Sequence, residues 1–272
     1  MMIKYLFVVY IFCSTILNGT ILENKIENLI GEKEYKIHQN LISLIFKNKS
    51  KYMIGDEINY YNLLKELKAN GLLKLRFNKP KDIVIEFKAL NKSVKAYKIL
   101  TDTMRSLGYS YFFTNSLNKN NDQLIWKITF KTEFMIDPVV LLKELKQKNC
   151  KVLEVENRSF DYWYYEIDFN NSILNNAIKF EKDESVKLHK PLKPYMLMVD
   201  DVKHLNIRSH SLNRWFPNIV FFDKDLKILE VIKENIVYRR YKMDIPQGTK
   251  YIKISDLYNL INIKRGLTII VR

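Results

Sequence analysis

After residue 178 the chain loses helical periodicity and becomes a succession of short apolar runs: AIKFE, SVKLH, YMLMV, KHLNIRS, NIVFF, KILEVI, IVYRRYKM, KYIKIS and LTIIV. Turn signals separate them, among them Pro217, DKD and IPQGT. Many short strands with turns at this spacing specify an antiparallel β-sandwich. Residues 178–272 are therefore expected to form one β-sandwich domain.

The preceding sequence follows other periods. Ile26, Leu29 and Ile30, then Ile37, Leu41, Leu44 and Ile45, recur at steps of three and four, which predicts a helical segment over 21–71 closed by Asn70-Gly71. Over 72–169 the pattern alternates. DIVIEFKA reads as a strand and KSVKAYKILTDTMRSLG as a helix. YSYFFTN and QLIWKITFKT read as strands joined by the polar turn NKNND. A second helix opens at Asp137-Pro138, an N-cap acceptor followed by proline at the first helical position. KVLEVEN and YWYYEIDF then read as a hairpin. The order β-α-β-β-α-β with an added strand resembles the ferredoxin-like split βαβ arrangement, without cysteines for a cluster. Residues 170–177 read as a linker, and the fold class expected for the whole chain is α+β.

At the start, Lys4 precedes an apolar run from Tyr5 to Leu17, followed by Asn18-Gly19-Thr20. A short basic region, an apolar stretch of this size and small residues after it form a secretory signal peptide over 1–20. The run of thirteen residues falls short of the roughly 20 that a membrane-spanning helix needs. The alternative is an uncleaved anchor continuing through Ile21 and Leu22. Either way the bulk of the chain is expected outside the cytoplasm. Export makes the two cysteines informative. Cys13 lies inside the leader, so the mature chain keeps only Cys150 and forms no internal disulfide. About 250 residues must then be held by ordinary packing, and that length suffices for one or two cores.

The chain carries 45 Lys+Arg against 30 Asp+Glu. Its richness in Lys, Asn, Ile, Tyr and Phe, all with AT-rich codons, means that genome composition accounts for part of the basicity. The distribution is more telling. Residues 186–272 hold 17 basic and 8 acidic side chains, whereas residues 21–185 hold 27 and 22. Six of the nine arginines lie at or after Arg208. A basic domain of this kind suits anionic partners such as acidic polymers or lipid head groups, including contact with a membrane surface. Export argues against nucleic acid.

Catalytic signatures are scarce. The chain has no glycine-rich phosphate loop, no G-x-S-x-G and no H-E-x-x-H. One S-x-x-K, Ser116 to Lys119, falls in the predicted polar turn, where chance accounts for it. Of the four histidines, His204 and His210 share the run KHLNIRSH. On a strand, His204, Asn206, Arg208 and His210 lie on one face and Leu205 and Ile207 on the other. This polar row is the candidate ligand-binding site. Arg214 and Trp215, in the following SLNRWFPN, would add a guanidinium fork and an aromatic platform of the kind that recognises sugars and acidic groups. The competing expectation is that Trp215 and Phe216 are core. A zinc site would need a third ligand, and no spacing singles out Asp200 or Asp201 for it. No metal or cofactor is expected.

MDIPQGTKYIKISD resembles the late strands of jelly-roll, galactose-binding-like modules. NRWFPNIVFFDKDLKILEVIK and GTKYIKISDLYNL, with the leader and composition, resemble uncharacterised exported proteins of low-GC, epsilon-class Gram-negative bacteria. That resemblance implies a periplasmic location and no particular activity. DFNNS, Asp168–Ser172, matches the acid-extended sequon some of those bacteria glycosylate, which would place a glycan on Asn170. Three functions follow as expectations. The first is a non-catalytic binding module for a glycan or acidic envelope component. The second is an assembly component of an envelope protein complex, and the third is a hydrolase with an unrecognised site.

Overall fold

The computed structural model describes residues 21–272; the leader expected over 1–20 lies outside them. Among the described residues no helix is long and apolar enough to cross a membrane. The chain is an α+β protein that divides into two compact units, one ending at Ile173 and the other running from Leu174 to Arg272.

The first unit begins with α1 (residues 21–30), α2 (Glu32–Ile37) and α3 (Gln39–Ile45). Residues 53–58, expected to be helical, instead form a small hairpin of β1 (Met53–Ile54) and β2 (Glu57–Ile58). The cause is local, because Gly55 between them adopts φ +61°, a region that suits glycine and turns the chain. In α4 (Tyr60–Ala69) the Asn59 side chain caps the Asn62 N–H, and Leu63, Leu64 and Leu67 form the buried stripe. Tyr60 Oη donates to Glu154 at 2.6 Å, and Lys25 pairs with the same carboxylate, fastening these helices to the following domain.

That domain is a five-stranded sheet made of β3 (Arg76–Leu90), β4 (Phe113–Asn120), β5 (Gln123–Phe134), β6 (Lys151–Ser159) and β7 (Tyr162–Asp168), in the order β4-β5-β3-β7-β6. Only the β3–β7 pair is parallel. Helices α5 (Ser93–Ser106) and α6 (Pro138–Gln147) make the crossovers. Asp137 Oδ1 accepts from the Val139 N–H at 3.0 Å, with Pro138 at the first helical position. Alternation sends Ile83, Ile85, Phe87 and Ala89 of β3 and Leu124, Trp126, Ile128 and Phe130 of β5 into the core with Ile99, Leu100, Leu141 and Leu145. The polar stretch Asn118–Asn120, read as turn, continues β4. This edge strand is exposed on nearly every residue, so it carries no apolar alternation, and the turn shrinks to Asn121-Asp122.

The second unit is a two-sheet sandwich. Its strands are β8 (Ile178–Lys179), β9 (Ser185–Lys187), β10 (Tyr195–Met198), β11 (His204–Ser209), β12 (Pro217–Phe222), β13 (Ile228–Lys233), β14 (Arg240–Asp244), β15 (Tyr251–Asp256) and β16 (Leu267–Val271). One sheet runs β13-β12-β15-β10-β8, the other β14-β11-β16-β9. Leu205, Ile207, Ile269 and Val271 from the four-stranded sheet meet Leu197, Ile219, Phe221, Ile252 and Ile254 from the other in one core. Gly266 enters β16 with φ +79°, and a Cβ there would stand 1.9 Å from the Leu188 carbonyl oxygen. Buried Asn213 braces this corner, its Nδ2 donating to Gly266 O at 2.8 Å and its Oδ1 accepting from the Arg265 N–H at 3.1 Å.

Candidate functional site

The outer face of the four-stranded sheet follows from its register. Leu205 and Ile207 of β11 point into the core, so His204, Asn206 and Arg208 face outward. Pairing then builds two rows across the strands. One runs Arg240, Arg208, Thr268, Lys187; the next runs Lys242, Asn206, Ile270, Ser185. At one end His204 stands opposite Asp244, its Nδ1 2.7 Å from Asp244 Oδ1.

Asp244 is the one carboxylate on these positions. Among the described residues the side chains of Arg208, Arg240, Lys242 and Lys187 have no ion-pair or hydrogen-bond partner, and all four are exposed. Arg208 and Arg240 are directly opposite each other, an arrangement in which like charges repel and destabilise the strand pair. Asn206 sits beside them with a covered Oδ1 that lacks a hydrogen-bond partner, a further local cost.

The other sheet face that carries many charges, in the first unit, is neutralised from within. There Glu86 accepts from Arg158 at 3.3 Å and from Tyr162 Oη, and lies 3.6 Å from Lys127. Arg158 also lies over the Tyr164 ring at 4.0 Å, and Tyr164 Oη donates to Glu166, which pairs with Lys88 at 3.1 Å. Lys127, Lys88 and Arg158 there each have a carboxylate partner, and among the described residues of that face only Lys131 of β5 stands exposed without one, whereas on the sandwich face four cations do.

The six residues of the expected site are not one surface. His204, Asn206 and Arg208 share the sheet face. His210 lies past the end of β11 in an exposed loop, its Nδ1 accepting from the Leu212 N–H at 3.1 Å. Arg239 closes that loop through the carbonyls of His210, Ser211 and Asn213. Arg214 is exposed but belongs to the approach to β12, in the opposite sheet. Trp215 is a correction: it is fully buried, and its Nε1 donates to Ser255 O at 3.0 Å. It shares the inward parity of Pro217, Ile219 and Phe221, so it packs the core and offers no platform to a ligand. Arg240, Lys242, Lys187 and Thr268, which complete the face, escape a strand-by-strand reading because cross-strand register brings them there. The alternation of Arg240, Lys242 and Asp244 with Tyr241 and Met243 is the signal that could have found three of its members.

Other reactive groups are inactive or isolated. Cys150 is buried, and burial pushes its thiol up to about 12, away from the thiolate form a nucleophile needs. Among the described residues no three His, Cys, Asp or Glu side chains gather as a metal site. Asp200 is engaged by Lys250 at 2.9 Å. An open cavity of about 390 Å³ beside the β4–β5 turn is lined by Leu90, Asn91, Asn120, Asn121, Asp122 and Gln123, with no nucleophile. Asn170 is exposed in a turn whose Asp168 Oδ1 accepts its N–H at 2.9 Å, while the Ser172 hydroxyl is buried and donates to Phe169 O at 2.7 Å.

No family model and no curated protein matches the chain. One solved structure is similar over part of it: the crystal structure of accessory secretory protein 1,2 and 3 in Streptococcus pneumoniae. The match has 15% identity, covers 38% of this chain and 90% of that one, and has a TM-score of 0.20, too low to carry a fold or a function.

Proposed function

We propose that the protein is a non-catalytic periplasmic binding protein whose C-terminal sandwich engages an acidic envelope polymer or an anionic glycan through the outer face of its four-stranded sheet. The observation that carries this reading is the Arg208–Arg240 pair, two guanidinium residues placed directly opposite one another with no carboxylate to hold them. Local rules of stability are broken where a site needs them broken. A bound anion would relieve the repulsion. The reading is further supported by the expected leader, which puts the chain among envelope polymers, and by the scarcity of catalytic groups. With Trp215 in the core, recognition rests on charge and hydrogen bonding rather than on stacking.

We read the first unit's sheet as a ferredoxin-like core widened by β7, inserted between β3 and β6. We read the sandwich as a jelly-roll-like module, since β9-β16-β11-β14 facing β10-β15-β12-β13 is the strand order of a jelly roll. Such modules serve many ligands, so the function is argued from the face and not from the fold.

The test is retention of the full mature chain on an immobilised acidic polysaccharide. Arg208→Ala and Arg240→Ala should each weaken it, and raising salt should weaken the parent by screening. Retention unchanged in both variants would overturn the proposal. A second reading, docking of the helical segment onto an envelope protein complex, is favoured by Ile37, Leu41 and Leu44, which stand 61%, 40% and 71% exposed along α2 and α3. It predicts co-purifying proteins that survive Arg208→Ala and are lost in Leu41→Asp/Leu44→Asp.

A further inference from the structure

We infer that the anion taken by the Arg208–Arg240 pair is a phosphomonoester rather than a carboxylate, an inference that rests on reading this sheet face as an anion-binding surface. Directly opposed residues of an antiparallel pair have Cα atoms about 4.5–5.5 Å apart. Arg208 and Arg240 therefore rise side by side from one face, with Lys242 two residues along β14 and Thr268 on the other flank of Arg208. Each guanidinium presents five donors in a planar fork. A carboxylate has two oxygens and one charge, and a single fork saturates both. The second arginine would then stay unpartnered beside the first. A phosphomonoester carries a charge of about −1.5 to −2 and three terminal oxygens, so it has acceptors and charge for both forks. The two guanidinium charges already match that of the phosphomonoester; Lys242, a point charge without the fork, adds a further donor one row away, and the Thr268 hydroxyl is a neutral donor within one strand spacing. The inventory of the face, two forks, one ammonium and one hydroxyl on neighbouring register positions, fits that group.

The comparison that isolates the group is glucose 6-phosphate against glucuronate, which share a hexose ring and differ in the acid. With the full mature chain, amide shift titrations should give an affinity for glucose 6-phosphate about tenfold above that for glucuronate, the worth of one additional charge-assisted hydrogen bond. The shifts should centre on Arg208, Arg240 and Thr268. The double variant Arg208→Lys/Arg240→Lys keeps the charge and removes the forks; its preference should fall towards one while glucuronate binding persists. Equal affinities in the parent, both lost in Arg208→Ala, would overturn the phosphate assignment and leave the anion-binding face standing. Titrations unaffected by Arg208→Ala and Arg240→Ala would overturn both. Vesicles of phosphatidic acid set against phosphatidylglycerol distinguish the source. Retention by the phosphomonoester lipid alone assigns a head group, and binding of glucose 6-phosphate with no retention assigns a sugar phosphate; both support the inference.

Discussion

Replacing Asp256 by alanine should cost the sandwich unit about 3–5 kcal/mol, through loss of charged acceptors and exposure of buried donors. The carboxylate ends β15 at 6% exposure and accepts four hydrogen bonds. Oδ2 takes the Phe216 N–H at 2.8 Å, and Oδ1 takes the Tyr258 and Asn259 N–H groups and Asn262 Nδ2, each at 2.9 Å. It thus ties the entry to β12 and the turn before β16 to one point. A hydrogen bond to an ionised acceptor contributes about 1.5–3 kcal/mol. Tyr258 and Asn259 are exposed residues whose N–H groups can turn to water, so the uncompensated losses are those at Phe216 and Asn262. For a unit of this size each kcal/mol moves Tm by about 4–8 °C, so the alanine variant should melt at least about 12 °C lower. Asp256→Asn should fall between, because one oxygen becomes a donor facing the Phe216 N–H. Fluorescence of Trp215 in a Trp126→Phe/Trp163→Phe background reports this unit alone. A Tm within about 4 °C of the parent, equivalent to less than about 1 kcal/mol, would refute the reasoning and mean that water serves all four donors equally well.

Other outcomes follow from single positions. Gly266→Ala should destabilise the sandwich by about 3 kcal/mol or more in urea unfolding, since the left-handed backbone alone costs about 1–2 and the added Cβ meets the Leu188 carbonyl at 1.9 Å. The Cys150 thiol, pushed up to about 12 from 9.0 by burial, should resist disulfide reagents at pH 8, and rapid labelling of native protein would contradict this. Its linkage has a definite sign. Below pH 9 both states keep the proton, and above it the unfolded chain releases it first, so stability falls by up to about 1.4 kcal/mol per pH unit towards pH 12; Cys150→Ala should show one proton less of this slope. Trp215→Phe should lower stability by about 1–2 kcal/mol through the lost indole bond and volume, while binding of acidic polysaccharide stays unchanged. Arg208→Ala should leave stability unchanged or raise it by a few tenths of a kcal/mol as the repulsion with Arg240 disappears, measured by the same unfolding assay that follows Asp256.

What was legible in the chain was what local period controls. Alternation alone gives the inward faces of β5 and β11, and the Asp137-Pro138 pair gives the start of α6 to the residue. Three features were not legible, for three reasons. The edge strand β4 is wet on both sides and so has no apolar period. The hairpin at 53–58 is too short for any period to emerge. Trp215 stayed open between platform and core, because only its residue type and its nearness to Arg214 spoke for a platform, and the turn at 210–213, where the chain leaves one sheet for the other, interrupts the period that would assign its side. The same limit hid half of the candidate face. Arg208 is visible in isolation, but its opposition to Arg240 is a register fact between residues 32 positions apart, and no local pattern encodes it.

That opposition also separates two explanations for the cations. Strands β14 and β9 are the two edges of the four-stranded sheet, and edge strands commonly carry lysine and arginine that keep other strands from pairing with them. Edge protection accounts for Arg240, Lys242 and Lys187 without any ligand. It does not account for Arg208, which lies on β11 between two hydrogen-bonded neighbours and has no edge to protect. Nor does it call for a cation directly beside Arg240, where a carboxylate would protect the edge equally well and remove the repulsion. In the first unit the chain uses that solution, setting Glu86 against Lys127 and Arg158 and Glu166 against Lys88. A chain with 30 acidic residues had the means to do the same here. The central arginine is therefore the residue on which a ligand must be argued, and the edge cations extend a site that Arg208 defines.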